Sequence, residues 1–247
     1  NSDNGGVHSA YFQTLSNALD KAGLARPTLI IDKQKLLANA SVLHQHLVGR
    51  YDYRVVTKSL PSVPLLEAVM SHTNTQRLMV FHQPFLNLIA NELPNTDVLL
   101  GKPMPVAAAA RFYQQHRTTQ FDARHQLQWL VDSPVRLMQY AELGRQRGEL
   151  MLINLELDVG LHRGGIKSEE QLAVALDIIE REPFLQFSGF MGYDPHVSKN
   201  PGLLGGAEAA FSAVQKTYQN FVTIAERQLQ RSLSGLTLNA AGSPTYQ

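Results

Sequence analysis

Apolar positions along this chain recur in two alternating rhythms. Short runs of mostly consecutive apolar residues, the pattern of strands buried on both faces, occupy residues 28–32, 53–59, 77–82, 97–101, 127–132, 151–158, 187–193 and 236–240. Between most of them the apolar residues fall three and four apart, which is the helical period. That spacing predicts a helix over residues 33–48 with Leu36, Leu37, Ala40, Leu43 and Leu47 on one face. It predicts a second lined by Leu172, Leu176 and Ile179, and a third lined by Phe211, Val214, Tyr218, Phe221, Val222, Ala225 and Leu229. Strand and helix taking turns this often predict an α/β fold with a parallel sheet and helices packed outside. Counted from the run that holds Lys58, there are seven strand candidates, whereas a closed (β/α)8 barrel needs eight. The expectation is therefore a TIM-type (β/α)8 barrel truncated before its last strand, because the sequence stops just after a strand and a glycine turn. An open doubly wound sheet is the competing architecture. The Gly-x-Gly-x-x-Gly fingerprint of its dinucleotide-binding form is missing, which weighs against it.

Composition narrows the function classes. The 247 residues are 44% hydrophobic, enough for a sizeable core. Basic and acidic residues balance at 22 against 21, so no long-range field argues for nucleic acid or a membrane surface as partner. With no cysteine, disulfides and thiolate metal sites are excluded for these residues. No apolar run reaches the length of a membrane-spanning helix. Residues 1–25 read as a leader and 26–247 as the barrel. The expected location is the cytoplasm.

Candidate chemistry gathers where strand runs give way to loops. Lys58 closes the run Tyr53-Arg54-Val55-Val56-Thr57-Lys58-Ser59, just before Leu60-Pro61. A lysine buried at a barrel mouth would lose hydration and become a competent amine for Schiff-base chemistry; the alternative is a solvated strand-end residue. The segment Asn154-Leu155-Glu156-Leu157-Asp158-Val159-Gly160-Leu161-His162-Arg163-Gly164-Gly165-Ile166 carries acids, glycines, a histidine and an arginine in a turn. Strand alternation puts Glu156 and Asp158 on one face. Arg163 then projects over the strand ends, able to steer a carboxylate or phosphate or to hold a heterocyclic nitrogen; a purely structural Asp–Arg pair is the competing reading. Tyr193 and His196 follow a glycine-rich strand, and either could be an ordinary core aromatic or loop histidine. In Asn239-Ala240-Ala241-Gly242-Ser243-Pro244-Thr245 small residues allow an anion to approach the backbone, as would suit a phosphate, although an ordinary turn would look the same.

Taken in this order, the elements resemble the fold-type III enzymes that use pyridoxal 5′-phosphate (PLP). The nearest branch is the D-threonine aldolase and D-serine dehydratase group, which shares its barrel with alanine racemase. Arg26-Pro27-Thr28-Leu29-Ile30-Ile31-Asp32 resembles the opening segment, and the Lys58 run resembles the strand of the Schiff-base lysine. The segment from Glu156 to Ile166 is similar to the family's most distinctive motif. Tyr193-Asp194-Pro195-His196 keeps its Tyr-x-x-His spacing, and Gly242-Ser243-Pro244-Thr245 resembles its phosphate turn. The departures are Val55-Val56 in place of more polar residues and Pro195 in place of glycine.

The resemblance implies that Lys58 carries PLP as a Schiff base and that Arg163 and Tyr193 lie near the cofactor ring. It implies that Gly242, Ser243 and Thr245 bind the phosphate. It also implies a PLP-dependent lyase, an aldolase or dehydratase, acting on small D-3-hydroxy amino acids as a homodimer. A racemase and a non-catalytic PLP-binding homeostasis protein are the alternatives. In this branch a C-terminal β domain carries a divalent metal, so a metal is expected only in the full-length protein, and no metal ligand is assigned here.

Overall fold

The computed structural model describes residues 9–199, 206–240 and 242. Two compact units divide the chain, Asn1–Asn39 and Ala40–Gln247. The first holds helix α1 (Ala10–Lys21), inside the expected leader, and the start of α2 (Lys33–Leu47). Asp32 caps α2 by accepting the Lys35 amide at 3.1 Å, and it also accepts the Tyr11 hydroxyl at 2.9 Å. The Lys35 ammonium sits 3.5 Å above the Tyr11 ring. The run 28–32 forms no strand among the described residues. Leu29 is 91% exposed, and the last residue of the run serves the helix instead of a ladder.

The second unit alternates strand and helix as the apolar rhythm predicts. Its strands are β1 (Arg54–Val56), β2 (Arg77–Val80), β3 (Asp97–Leu100), β4 (Leu127–Val131), β5 (Met151–Leu157), β6 (Leu185–Gly192) and β7 (Thr237–Asn239). Between them lie α3 (Val63–Thr73), α4 (Gln83–Glu92), α5 (Val106–Gln115), α6 (Ala123–Gln126), α7 (Pro134–Arg147), α8 (Glu169–Arg181) and α9 (Gly206–Leu229). The helices begin where local chemistry favours it. Ser133 accepts the Arg136 amide with Pro134 in the first turn of α7. Ser168 accepts the Gln171 amide while Glu169 and Glu170 complement the helix dipole of α8. Gly148, with φ 65°, closes α7 in the left-handed conformation that glycine adopts freely.

All seven strands lie in one sheet in chain order, and every ladder is parallel. The sheet is curled. A hydrogen bond of 2.8 Å joins Gln128 on β4 to Thr237 on β7. In a flat sheet those strands would stand roughly 14 Å apart, three spacings of about 4.8 Å, too far for the two side chains to bridge. The result is a seven-stranded parallel half-barrel wrapped by helices. Its core, sealed between sheet and helices, includes Leu66, Leu78, Val98, Val131, Leu155 and Phe190, all fully buried. At about 1.5–3 kcal/mol for each such side chain, this burial is the main force holding the helices to the sheet. The Trp129 indole N–H, also enclosed, donates to the Tyr113 hydroxyl at 3.0 Å. Among the described residues no helix is long and apolar enough to cross a membrane.

The expected strand ends hold to within two residues at most positions. The clearest difference is at β1, which stops at Val56 and passes into a 3-10 turn, Thr57–Ser59. The buried Thr57 hydroxyl donates to the Met79 carbonyl at 3.0 Å, so a side chain takes over where the ladder ends.

Candidate functional site

Because the strands are parallel, their carboxyl ends share one edge of the sheet, and each sequence-predicted site residue follows one of those ends. Lys58 follows β1, Arg163 lies in the loop after β5, Tyr193 follows β6 and Gly242 follows β7. Ser243 and Thr245 lie outside the described residues.

The loop after β5 is built from its own sequence. Asp158, just past the strand, accepts the amides of Gly160 at 3.1 Å and His162 at 2.9 Å, and its second oxygen meets the His162 ring at 2.9 Å. Burial raises the Asp158 pKa, but the bonds from the His162 ring and from the two amides outweigh it. They hold the carboxyl below its ordinary value. The chain then doubles back. The Ile166 amide donates to the Glu156 carbonyl at 2.8 Å, and the Asp158 amide donates to the Ile166 carbonyl at 2.9 Å. Gly165, at φ 97°, makes this return possible, since a β-carbon there would lie 2.8 Å from the Glu156 carbonyl oxygen.

That return carries Arg163 back over the strand ends. Its guanidinium donates to the Glu156 carboxylate at 2.5 Å and lies 4.9 Å from the centre of the Tyr193 ring. The Glu156 side chain is 5% exposed and that of Arg163 is 32%, so the pair runs from the barrel interior to its mouth. Arg163 therefore pairs with Glu156 and not with Asp158, which corrects the Asp–Arg pair of the competing reading. Glu156 points inward, in register with Met191 of β6 and, through it, with Asn239 of β7.

Arg163 and Tyr193 are thus brought together, while Lys58 touches neither. Its ammonium lies 4.5 Å from the centre of the Phe81 ring, and among the described residues no carboxylate pairs with it. Lys58 is exposed, so the burial expected of it is not found. The 3-10 turn lifts it past the end of β1, away from the packed layer that encloses Val55.

Of two further features, the sequence named the first without assigning it a role and missed the second. His196 packs on the β5 loop, with its Nε2 3.1 Å from where a β-carbon on Gly160 would stand. Its Nδ1 is buried without a hydrogen-bond partner among the described residues. The other is a polar thread inside the sheet. Arg54 of β1 donates to Asp97 of β3 at 2.6 Å, Gln128 stands 3.4 Å from the same carboxylate oxygen, and Asn154 donates to Gln128 at 3.3 Å. The available sign was a lone Gln in Leu-Gln-Trp-Leu-Val and a lone Asn in Met-Leu-Ile-Asn-Leu-Glu-Leu.

Comparison with known proteins bears on the fold. No curated protein matches the chain in sequence. Among solved structures, the alanine racemase of Bacillus anthracis matches with a TM-score of 0.70 at 14% identity, over 90% of this chain and 54% of that one. The D-threo-3-hydroxyaspartate dehydratase of Delftia sp. HT23 matches with a TM-score of 0.72 at 19% identity, over 90% of this chain and 56% of that one. The alanine racemase of Corynebacterium glutamicum gives 0.65 at 15% identity, over 87% and 56%. The chain thus spans about half the length of these proteins, and at such identities the likeness is one of fold. The model of the alanine racemase N-terminal domain matches residues 31–247. This chain therefore belongs to the alanine racemase N-terminal domain family, the barrel of the fold-type III PLP enzymes.

Proposed function

We propose that this chain is the cofactor-binding barrel of a PLP-dependent lyase acting on D-3-hydroxy amino acids, an aldolase or a dehydratase. The observation that carries the reading is the Glu156–Arg163 pair held against the Tyr193 ring at the carboxyl ends of β5 and β6. The same edge offers an amine with no carboxylate partner among the described residues, on Lys58. The residues present fit PLP by their chemistry. A free amine can bond covalently to an aldehyde, a guanidinium braced on an aromatic face can orient a flat anionic ring, and the His196 Nδ1 keeps a hydrogen-bonding capacity that no described residue uses.

In this reading Lys58 holds PLP covalently, and its amine, once released, moves the proton at the substrate Cα. Arg163, fixed by Glu156, orients the bound ring together with Tyr193, and Gly242, Ser243 and Thr245 receive the phosphate. When bound, PLP supplies the electron withdrawal that weakens the bonds at Cα. The likeness to D-threo-3-hydroxyaspartate dehydratase structures supports the lyase. The alanine racemase structures support a second reading, racemisation, which needs another acid–base group facing Lys58.

The test is the absorbance spectrum of the protein mixed with PLP, for the wild type and for Lys58→Ala. We expect a band near the visible edge in the wild type. Borohydride should abolish it and leave the cofactor's mass on the Lys58 peptide, and Lys58→Ala should show neither. A folded wild-type protein without the band would remove the PLP assignment. Assays with D-threonine, D-serine and D-alanine would then separate aldehyde release, water loss and racemisation.

A further inference from the structure

Strand β7 has three residues and a ladder to one neighbour, yet more than that ladder holds it. Its ladder to β6 pairs Gly189 with Thr237, Phe190 with Leu238 and Met191 with Asn239. Three side chains from three other elements also reach it. Gln128 of β4 donates to the Thr237 hydroxyl at 2.8 Å, and Asn154 of β5 donates to the Thr237 carbonyl at 3.2 Å. From α9 the Tyr218 hydroxyl lies 3.1 Å from the Phe190 carbonyl and 3.3 Å from the Asn239 carbonyl, sharing its one proton between them.

These ties are costly to build. Gln128 and Asn154 are buried, and polar amides inside a sheet lose hydration that their bonds must replace. Asn154 reaches β7 only because the strand between them carries Gly189, at φ 138°. A β-carbon there would collide with the Thr237 carbonyl. The Tyr218 ring in turn fills the space beside Gly192, with ring carbons 3.0 and 3.1 Å from a would-be β-carbon. Burial raises the Tyr218 pKa, so the hydroxyl keeps the proton it donates. These ties fix the end of the strand from which the chain leaves as the small-residue stretch Ala240 to Gly242.

We propose that Gln128, Asn154 and Tyr218 are positioning residues for the phosphate of PLP: by clamping Thr237 and Asn239 they fix the backbone from which the phosphate-binding stretch departs. The inference rests on the proposed PLP function, and its test separates the two. Pyridoxal shares the ring and aldehyde carbon of PLP without the phosphate. Its free hydroxymethyl group closes on the aldehyde in solution, but equally for every variant. The change in the ratio of the two dissociation constants from wild type to variant therefore reads the phosphate's share of binding.

We expect the wild type to prefer PLP strongly. Tyr218→Phe and Gln128→Leu should each cut that preference about fivefold, the loss of roughly one hydrogen bond's worth of placement, with pyridoxal affinity changed less than twofold. Tyr140→Phe is the control. It removes a hydroxyl more deeply buried than that of Tyr218, bonded to the Met104 carbonyl at 3.0 Å far from β7 in sequence, and it should leave the ratio unchanged. An unchanged ratio in folded Tyr218→Phe and Gln128→Leu would overturn the positioning role, as would an equal fall in the Tyr140→Phe control. A wild type with no preference for PLP over pyridoxal would instead remove the phosphate reading beneath it.

Discussion

Asp158 shows how one buried carboxylate organises the candidate site. It gathers two amides and an imidazole, and by fixing the first half of the loop it sets the course that brings Arg163 back over Glu156. Its pKa lies below the ordinary value, so its contribution to stability is present above the unfolded pKa of about 3.9 and is lost as pH falls through the folded value. Asp158→Asn keeps the shape but replaces an acceptor of charge-assisted bonds with a neutral amide. We expect it to cost about 1–3 kcal/mol at pH 7, measured by urea unfolding. The gap between variant and wild type should narrow as pH drops below about 4. A gap that stays constant down to about pH 2, below the ordinary carboxylate range, would show that the charge of Asp158 contributes nothing. At this scale the sequence was legible in part. Alternation placed Glu156 and Asp158 on one face, but the structural pairing read for Arg163 was with an Asp, whereas Glu156 takes it. That choice depends on the left-handed conformation at His162, φ 55°, and on the return at Gly165, neither of which the hydrophobic pattern encodes.

The elements themselves were the most readable level. Strands in a parallel sheet are buried on both faces and therefore appear as apolar runs, and all seven from Lys58 onward are present. Helix faces such as Leu172, Leu176 and Ile179 are buried as the spacing requires. Where reading failed, a side chain displaced a ladder bond. Thr57 ended β1 early and left Lys58 exposed, and Asp32 capped α2 where a strand had been expected. The two adjacent glycines after Arg163 also look alike in sequence but differ in structure. At Gly164 the nearest atom to an added β-carbon is a Glu156 carboxylate oxygen at 4.0 Å, whereas at Gly165 it is backbone at 2.8 Å with φ 97°. Gly165→Ala should therefore destabilise the protein by about 2 kcal/mol or more. It should also weaken PLP binding by loosening Arg163. Gly164→Ala should stay within about 0.5 kcal/mol of wild type. Thermal unfolding of the two variants side by side decides this, and equal losses would mean that the return of the loop does not depend on the left-handed glycine.

Over the whole molecule, the curl of the sheet makes one side of the half-barrel sense the other. The polar thread from Arg54 through Asp97, Gln128 and Asn154 to Thr237 crosses the interior beneath the candidate site and links β1 to β7 without a ladder between them. The middle strands are enclosed, with Trp129, Leu130, Ile153 and Leu155 fully buried, while Leu238 of β7 is 42% exposed. A strand with one ladder neighbour and an exposed face should open with a smaller free energy than one enclosed on both sides. Amide hydrogen exchange should therefore be slowest in β4 and β5 and faster in β1 and β7. The polar thread adds a further expectation. Gln128→Leu removes its central link, so β7 should exchange faster in that variant while β3, held by its own ladders to β2 and β4, stays as in the wild type. If β7 keeps its wild-type protection when Gln128 is lost, the ladder between β6 and β7 alone holds that strand, and the thread is a packing solution for the barrel base with no reach to the site above it.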